Sequence, residues 1–145
     1  MAALVPVVFE TILVVEDTPI VLATVRLILT NAGYTVLEAT SAEHAIQIES
    51  DFQGVIHLLL SDVMMPGMSG SDLAKILGER RKDMRVMLMS GYPGGDLLVL
   101  NYGWYFMHKP FVPSGLLQRV KEVLHSADRR QGSDHFGTEH LSESL

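Results

Sequence analysis

The chain has no cysteine among its 145 residues. That excludes disulfide scaffolds, thiolate zinc sites, iron–sulfur clusters and cysteine nucleophiles. Positive charge is scarce. Only 11 Lys and Arg stand against 17 Asp and Glu, a formal net charge of -6. Binding to nucleic acid by phosphate neutralisation needs the opposite balance, so no direct nucleic-acid partner is expected. No apolar run approaches the roughly 18 residues of a membrane span, and no membrane role is expected. The opening MAALVPVVFE is apolar but lacks a basic flank and carries Pro6 before Glu10. It does not read as a signal peptide, and the expected location is cytoplasmic. What the chain does have is core: 48% hydrophobic against 19% charged. That excludes disorder along the whole length and suits one compact domain.

Five short apolar runs alternate with five segments of helical character. The runs are Thr11–Val15, Tyr34–Ala39, Val55–Ser61, Met84–Met89 and Gly103–Met107. Several are apolar almost throughout, as strands covered on both faces are. In the first intervening segment Val21, Val25, Ile28, Leu29 and Ala32 recur on one helical face. Thr18 is placed to cap it, Pro19 suits its first turn and Gly33 its left-handed stop. Ser41–Ser50 and Ser69–Arg80 read as helices, Asp96–Asn101 as one or two turns, and a last helix carries Leu116, Leu117, Val120, Val123 and Leu124. Such alternation means a parallel sheet with helices on both faces. Residues 1–10 read as an N-terminal extension, 11–126 as the domain and 127–145 as a flexible tail.

Ligands of open parallel sheets bind beyond the carboxyl ends of the strands. Glu16 and Asp17 follow the first run, Asp62 ends the third, Ser90 the fourth, and Lys109 and Pro110 follow the fifth. Three carboxylates, a hydroxyl and an ammonium therefore gather on one edge. Clustered carboxylates repel, and without a cation at least one holds its proton. Mg²⁺ suits such a set, since it takes one or two carboxylates, keeps waters and completes its shell with phosphate oxygens. Lysine and a hydroxyl nearby suit phosphate oxygens. The set is built to accept a phosphoryl group on a carboxylate.

The blocks ILVVEDTP, LLLSDVMMPGMSG, VMLMSGYP and FMHKPF, in this order, resemble the signature blocks of the receiver domain of two-component response regulators, over about Thr11 to Ser126. Forty-five residues separate Asp17 from Asp62, and 28 separate Asp62 from Ser90. The resemblance implies a single five-stranded parallel sheet in a doubly wound (βα)5 α/β fold of flavodoxin-like architecture. By position it implies Asp62 as phosphoacceptor. It implies Mg²⁺ on Asp17 directly, on Glu16 through water, on Asp62 and on the backbone carbonyl of Met64. Lys109 would pair with Asp62 and then with the phosphoryl group, and the Lys109–Pro110 bond would be cis. Ser90 would be the switch hydroxyl and Phe106 the switch aromatic. The implied partners are a histidine kinase or histidine phosphotransfer protein, an unknown downstream protein and, as an open alternative, a second copy in a homodimer. The implied role is signalling, with no catalysis beyond the domain's own phosphorylation and dephosphorylation.

Three features depart from the family pattern. Only 19 residues separate Ser90 from Lys109, and the shortage falls on the segment around Asp96–Asn101. Val112 stands at the cap position before Pro113, and Phe106 lacks a tyrosine hydroxyl. The alternatives are a receiver piece of a hybrid histidine kinase, a receiver-like module that is never phosphorylated, and an aspartyl-phosphate-type phosphatase. A flavodoxin-like cofactor binder would need a phosphate loop after the first run, and VVEDTPIV has none. Elsewhere the expectations are structural. His57 lies inside a strand, and no pair of histidines has metal-ligand spacing. Met64, Met65, Met68, Met84, Met87 and Met89 are packing residues. Arg80, Arg81 and Lys82 end a helix in water, and Gly94–Gly95 is a turn.

Overall fold

A computed structural model describes residues 9–92 and 102–126. The strands are β1 (Thr11–Val15), β2 (Thr35–Ala39), β3 (Leu58–Asp62), β4 (Arg85–Ser90) and β5 (Tyr105–His108). The helices are α1 (Pro19–Asn31), α2 (Ala42–Asp51), α3 (Gly70–Arg80) and α4 (Pro113–Leu124). All strand pairs are parallel, in the order β2-β1-β3-β4-β5. This is the expected doubly wound sheet. The turn expected at Asp96–Asn101, Gly94–Gly95 and the tail from 127 lie outside the described residues.

The sheet is wound on both faces because its central strands have no polar side. Every residue of β1 is buried. Ile12 and Val14 pack with Leu22, Val25 and Leu29 of α1 and Leu116, Val120 and Val123 of α4. Leu13 and Val15 point the other way, against Ala42 and Ala45 of α2 and Leu73 and Leu77 of α3. Alternation in the strand thus serves two cores. Each buried leucine contributes about 1.5–3 kcal/mol.

Several local expectations need correction. The third run begins three residues early: β3 starts at Leu58, and His57 lies before it. The His57 ring is an acceptor, its Nδ1 taking the Thr11 backbone N–H at 2.9 Å. Thr18 stands at the α1 cap with extended backbone, but its side chain makes no capping bond. Its backbone N–H donates instead to Glu16 Oε2 at 3.1 Å. Gly33, by contrast, takes the left-handed conformation expected of it, φ 103°.

Arg80 and Arg81 are not solvated ends. Both donate to the buried carboxylate of Glu49, at 2.8 and 2.9 Å. Arg81 also reaches the carbonyls of Gly54 and Phe52. The two guanidiniums hold the Glu49 carboxyl below its ordinary range, outweighing the burial that pushes it up. This clasp ties the ends of α2 and α3 together. Among the methionines, Met65, Met84, Met87 and Met89 are buried as expected, whereas Met64 is 61% exposed.

Candidate functional site

The strand order reverses at β1, whose two neighbours are β2 and β3. Crossovers leave to opposite faces there and open a crevice beyond the strand ends. The groups singled out in the sequence meet in it. Glu16 follows β1, fully buried, its backbone N–H bonded to Ala39 O of β2. Asp62 is the buried last residue of β3, and Ser90 the buried last residue of β4. Lys109 follows β5, fixed by its N–H to Ser90 O at 2.9 Å and joined to Pro110 by a cis bond. Its Nζ reaches Asp62 Oδ1 at 2.6 Å and Glu16 Oε1 at 2.7 Å. Asp17 is exposed at the rim, and an oxygen of each of Glu16, Asp17 and Asp62 lies within 4.8 Å of the others.

These groups line a cavity of about 370 Å³, with Met64 and Tyr92 at its exposed edge. Ser90 Oγ accepts the Tyr92 backbone N–H at 3.0 Å. Phe106 is partly buried against the Leu13–Leu88 core, its ring 4.9 Å from that of His108, edge to face. A larger cleft, about 570 Å³, runs alongside between Ile20, Val21 and Val25 of α1 and Phe111. It shares Lys109 and Gly91 with the first but is apolar, so the charge chemistry belongs to the smaller cavity.

The loop after Asp62 is held by contacts the sequence reading missed. Gly70 opens α3 so close to β3 that a Cβ there would lie 1.8 Å from the Asp62 backbone oxygen. Its N–H donates to Val63 O at 2.8 Å. Glu43, in the first turn of α2, accepts the Met68 N–H at 3.3 Å beside Gly67, whose φ of 80° needs a glycine. Ser69 caps α3 by accepting the Asp72 N–H. The glycines in GMSG were the available signal. Nothing local pointed to Glu43, 25 residues away.

The electrostatics follow from crowding. Burial first, and then the neighbouring Glu16 carboxylate, push Asp62 up to about 7 against the opposing pull of Lys109. Burial also acts to raise Glu16, but hydrogen bonds from Asp62, Lys109 and the Thr18 N–H outweigh it and leave Glu16 lowered. Burial disfavours the Lys109 ammonium, yet the two carboxylates raise its pKa overall. One ammonium is thus set against three carboxylates. Near neutrality the cluster keeps a proton or takes a cation. The donor set is all hard oxygen, one carboxylate faces solvent and the cavity has room for waters, so the residues fit Mg²⁺.

The sequence model of the response regulator receiver domain matches residues 12–121. Sensor kinase CckA of Brucella abortus (strain 2308) is 34% identical over 121 residues, covering 81% of this chain and 13% of that protein. Aerobic respiration control protein ArcA of Escherichia coli (strain K12) is 33% identical over 116 residues, covering 78% of this chain and 48% of that protein. This chain therefore spans between about an eighth and about half of these relatives' length. The crystal structure of the receiver domain from hybrid histidine kinase CckA superposes with a TM-score of 0.70 at 37% identity, covering 80% of this chain and all of that one. With the acidic pair, the strand-end aspartate, the hydroxyl and the lysine converging on one crevice, the chain belongs to the response regulator receiver domain family of two-component signal transduction.

Proposed function

We propose that the chain accepts a phosphoryl group on Asp62 from the phosphohistidine of a histidine kinase or histidine phosphotransfer protein. The observation that carries this is the Lys109 ammonium on Asp62 at 2.6 Å, inside a three-carboxylate cavity open to solvent. An Asp62 oxygen attacks phosphorus, an O–P bond forms, the N–P bond breaks, and the imidazole leaves with a proton. Lys109 holds the transferring oxygens, and Ser90, at the end of β4, offers its hydroxyl to one of them. That hydroxyl now accepts the Tyr92 N–H, so its reorientation alters the start of the following loop. Phe106, packed on the neighbouring strand, is the side chain placed to follow.

Mg²⁺ would be held by Asp17, by Asp62, by the Met64 backbone carbonyl and, through water, by Glu16. It would supply charge neutralisation and a template for phosphoryl oxygens. We assign residues 11–126 as the receiver unit, 1–10 as an extension and 127–145 as a tail. The location is cytoplasmic. Among the described residues no helix is long and apolar enough to cross a membrane. Beyond its own phosphorylation and dephosphorylation the unit catalyses nothing and signals by protein contact, alone or as a homodimer. The identity of 34–37% with CckA supports a second setting, as the receiver part of a hybrid kinase.

Incubation with phosphoramidate and Mg²⁺, followed by intact mass, tests the reading. The parent protein gains one phosphoryl group and Asp62→Asn gains none. An adduct of equal yield on Asp62→Asn would place the chemistry elsewhere.

A further inference from the structure

We propose that Met64 is an oxidation site: a peroxide converts its thioether to the sulfoxide at the mouth of the Asp62 cavity and so changes how that cavity holds metal and water. The consequence for phosphoryl chemistry rests on the reading of Asp62 as phosphoacceptor; the site of oxidation does not.

Access selects the residue. Met64 is 61% exposed, while Met65, Met84, Met87 and Met89 are buried and Met68 and Met107 are partly buried. An oxidant must reach the sulfur lone pair, so rate follows exposure among thioethers of equal intrinsic reactivity. Place gives the modification its effect. Met64 lines the same cavity as Glu16, Asp17, Asp62 and Lys109. The loop that carries it has little freedom to withdraw, because Gly70 is bonded to Val63 O and Met68 N–H to Glu43.

The chemistry balances with one co-reactant. The sulfur lone pair attacks a peroxide oxygen, an S–O bond forms as the O–O bond breaks, and the departing hydroxide takes a proton. Thioether and hydrogen peroxide give sulfoxide and water, with sulfur oxidised by two electrons and peroxide reduced by two. An apolar, weakly accepting sulfur becomes a strong hydrogen-bond acceptor carrying partial negative charge. At the rim of an acidic cavity that oxygen is a hard donor for a divalent cation or for its bound water, so Mg²⁺ binds more tightly. It also accepts hydrogen bonds from water that the thioether does not hold. A phosphoryl group on Asp62 then faces an ordered water, and its hydrolysis is faster.

The experiment uses the full chain and limiting hydrogen peroxide, with oxidation mapped by tandem mass spectrometry. Mg²⁺ affinity is read by calorimetry and phosphoryl decay after phosphoramidate loading. The expected result is Met64 sulfoxide ahead of every other described methionine, Mg²⁺ affinity raised about twofold or more and phosphoryl loss about fivefold faster. Both changes should be absent from peroxide-treated Met64→Leu, which keeps the bulk and cannot be oxidised. Equal oxidation of Met68 or Met107 would overturn the proposal. So would Met64 sulfoxide with unchanged Mg²⁺ affinity. Should the untreated protein take no phosphoryl group on Asp62, the phosphoacceptor reading falls, and the oxidation map with the Mg²⁺ titration alone decides this proposal.

Discussion

Asp62 occupies a position where ionisation is costly, because it is buried beside Glu16 and shares one ammonium with it. The folded state, with Asp62 pushed up to about 7, binds a proton that the unfolded chain gives up near its ordinary value of 3.8. Stability from this group is therefore fullest at acid pH and is lost as pH rises through that window. Glu16 is lowered and has the opposite sign, its contribution fading as pH falls below the ordinary carboxylate range. Thermal melts without divalent metal should show the parent losing stability between about pH 4 and pH 7. Asp62→Asn should flatten that slope and melt higher at the alkaline end; an unchanged slope would place the proton elsewhere.

Two glycines separate a required absence from an incidental one. A Cβ at Gly70 would overlap the Asp62 backbone oxygen, whereas one at Gly78, within α3, meets nothing within 4 Å. Gly70→Ala should cost about 1–3 kcal/mol and slow phosphoryl acceptance, because the strand end must shift. Gly78→Ala should stabilise by about 0.5–1 kcal/mol. Urea unfolding of the pair, with phosphoramidate labelling, checks both signs.

At the scale of elements, α4 begins without a cap. Val112 has extended backbone, its side chain is exposed and it makes no capping bond. Val112→Ser should add an acceptor for an N–H of the first turn and raise stability by about 1 kcal/mol, read as a higher urea midpoint at unchanged slope. At the other end of the molecule the Glu49 clasp joins α2 to α3. Glu49→Ala leaves two guanidiniums without their carboxylate and should cost about 2 kcal/mol near neutral pH. That loss should shrink as pH falls through the carboxylate range, since the lowered pKa makes this contribution one of higher pH.

These two elements also mark what was legible in sequence. Short apolar runs alternating with period-3.6 helices gave five strands in order, and strand ends gave Glu16, Asp17, Asp62, Ser90 and Lys109. Those signals are local, or follow from the strand-end rule for parallel sheets. The clasp joins Glu49 to residues 31 and 32 positions away. Neither its buried acid nor its two arginines carry a periodic signal, so Arg80 and Arg81 read as solvent-facing. The start of β3 was misplaced because VIHLLL is apolar before the ladder begins. The exposure of Met64 was missed because composition does not tell a rim methionine from a core one.

For the molecule as a whole, the acidic crevice is a store of unfavourable charge that binding can relieve. One half-buried ammonium faces three carboxylates with oxygens within 4.8 Å, in a chain already at net -6. A divalent cation placed there would bind the folded state only, since the three acids converge through β1 and β3 and are scattered in the unfolded chain. Mass action then stabilises the fold, by about 2.7 kcal/mol at a hundredfold excess over the Kd. Protons compete with the cation for Asp62, so the gain should be larger at pH 8 than at about pH 6. Asp17 is the partner to remove, because it is exposed and contributes nothing to the core. Without metal, Asp17→Ala should melt at or slightly above the parent, having lost a like charge. With Mg²⁺, the parent should rise steadily with metal concentration and Asp17→Ala should barely respond. A melting series in Mg²⁺ at two pH values checks both dependences. Equal gains in parent and variant would mean that the cation binds away from the strand ends and that the crevice is relieved by its proton alone.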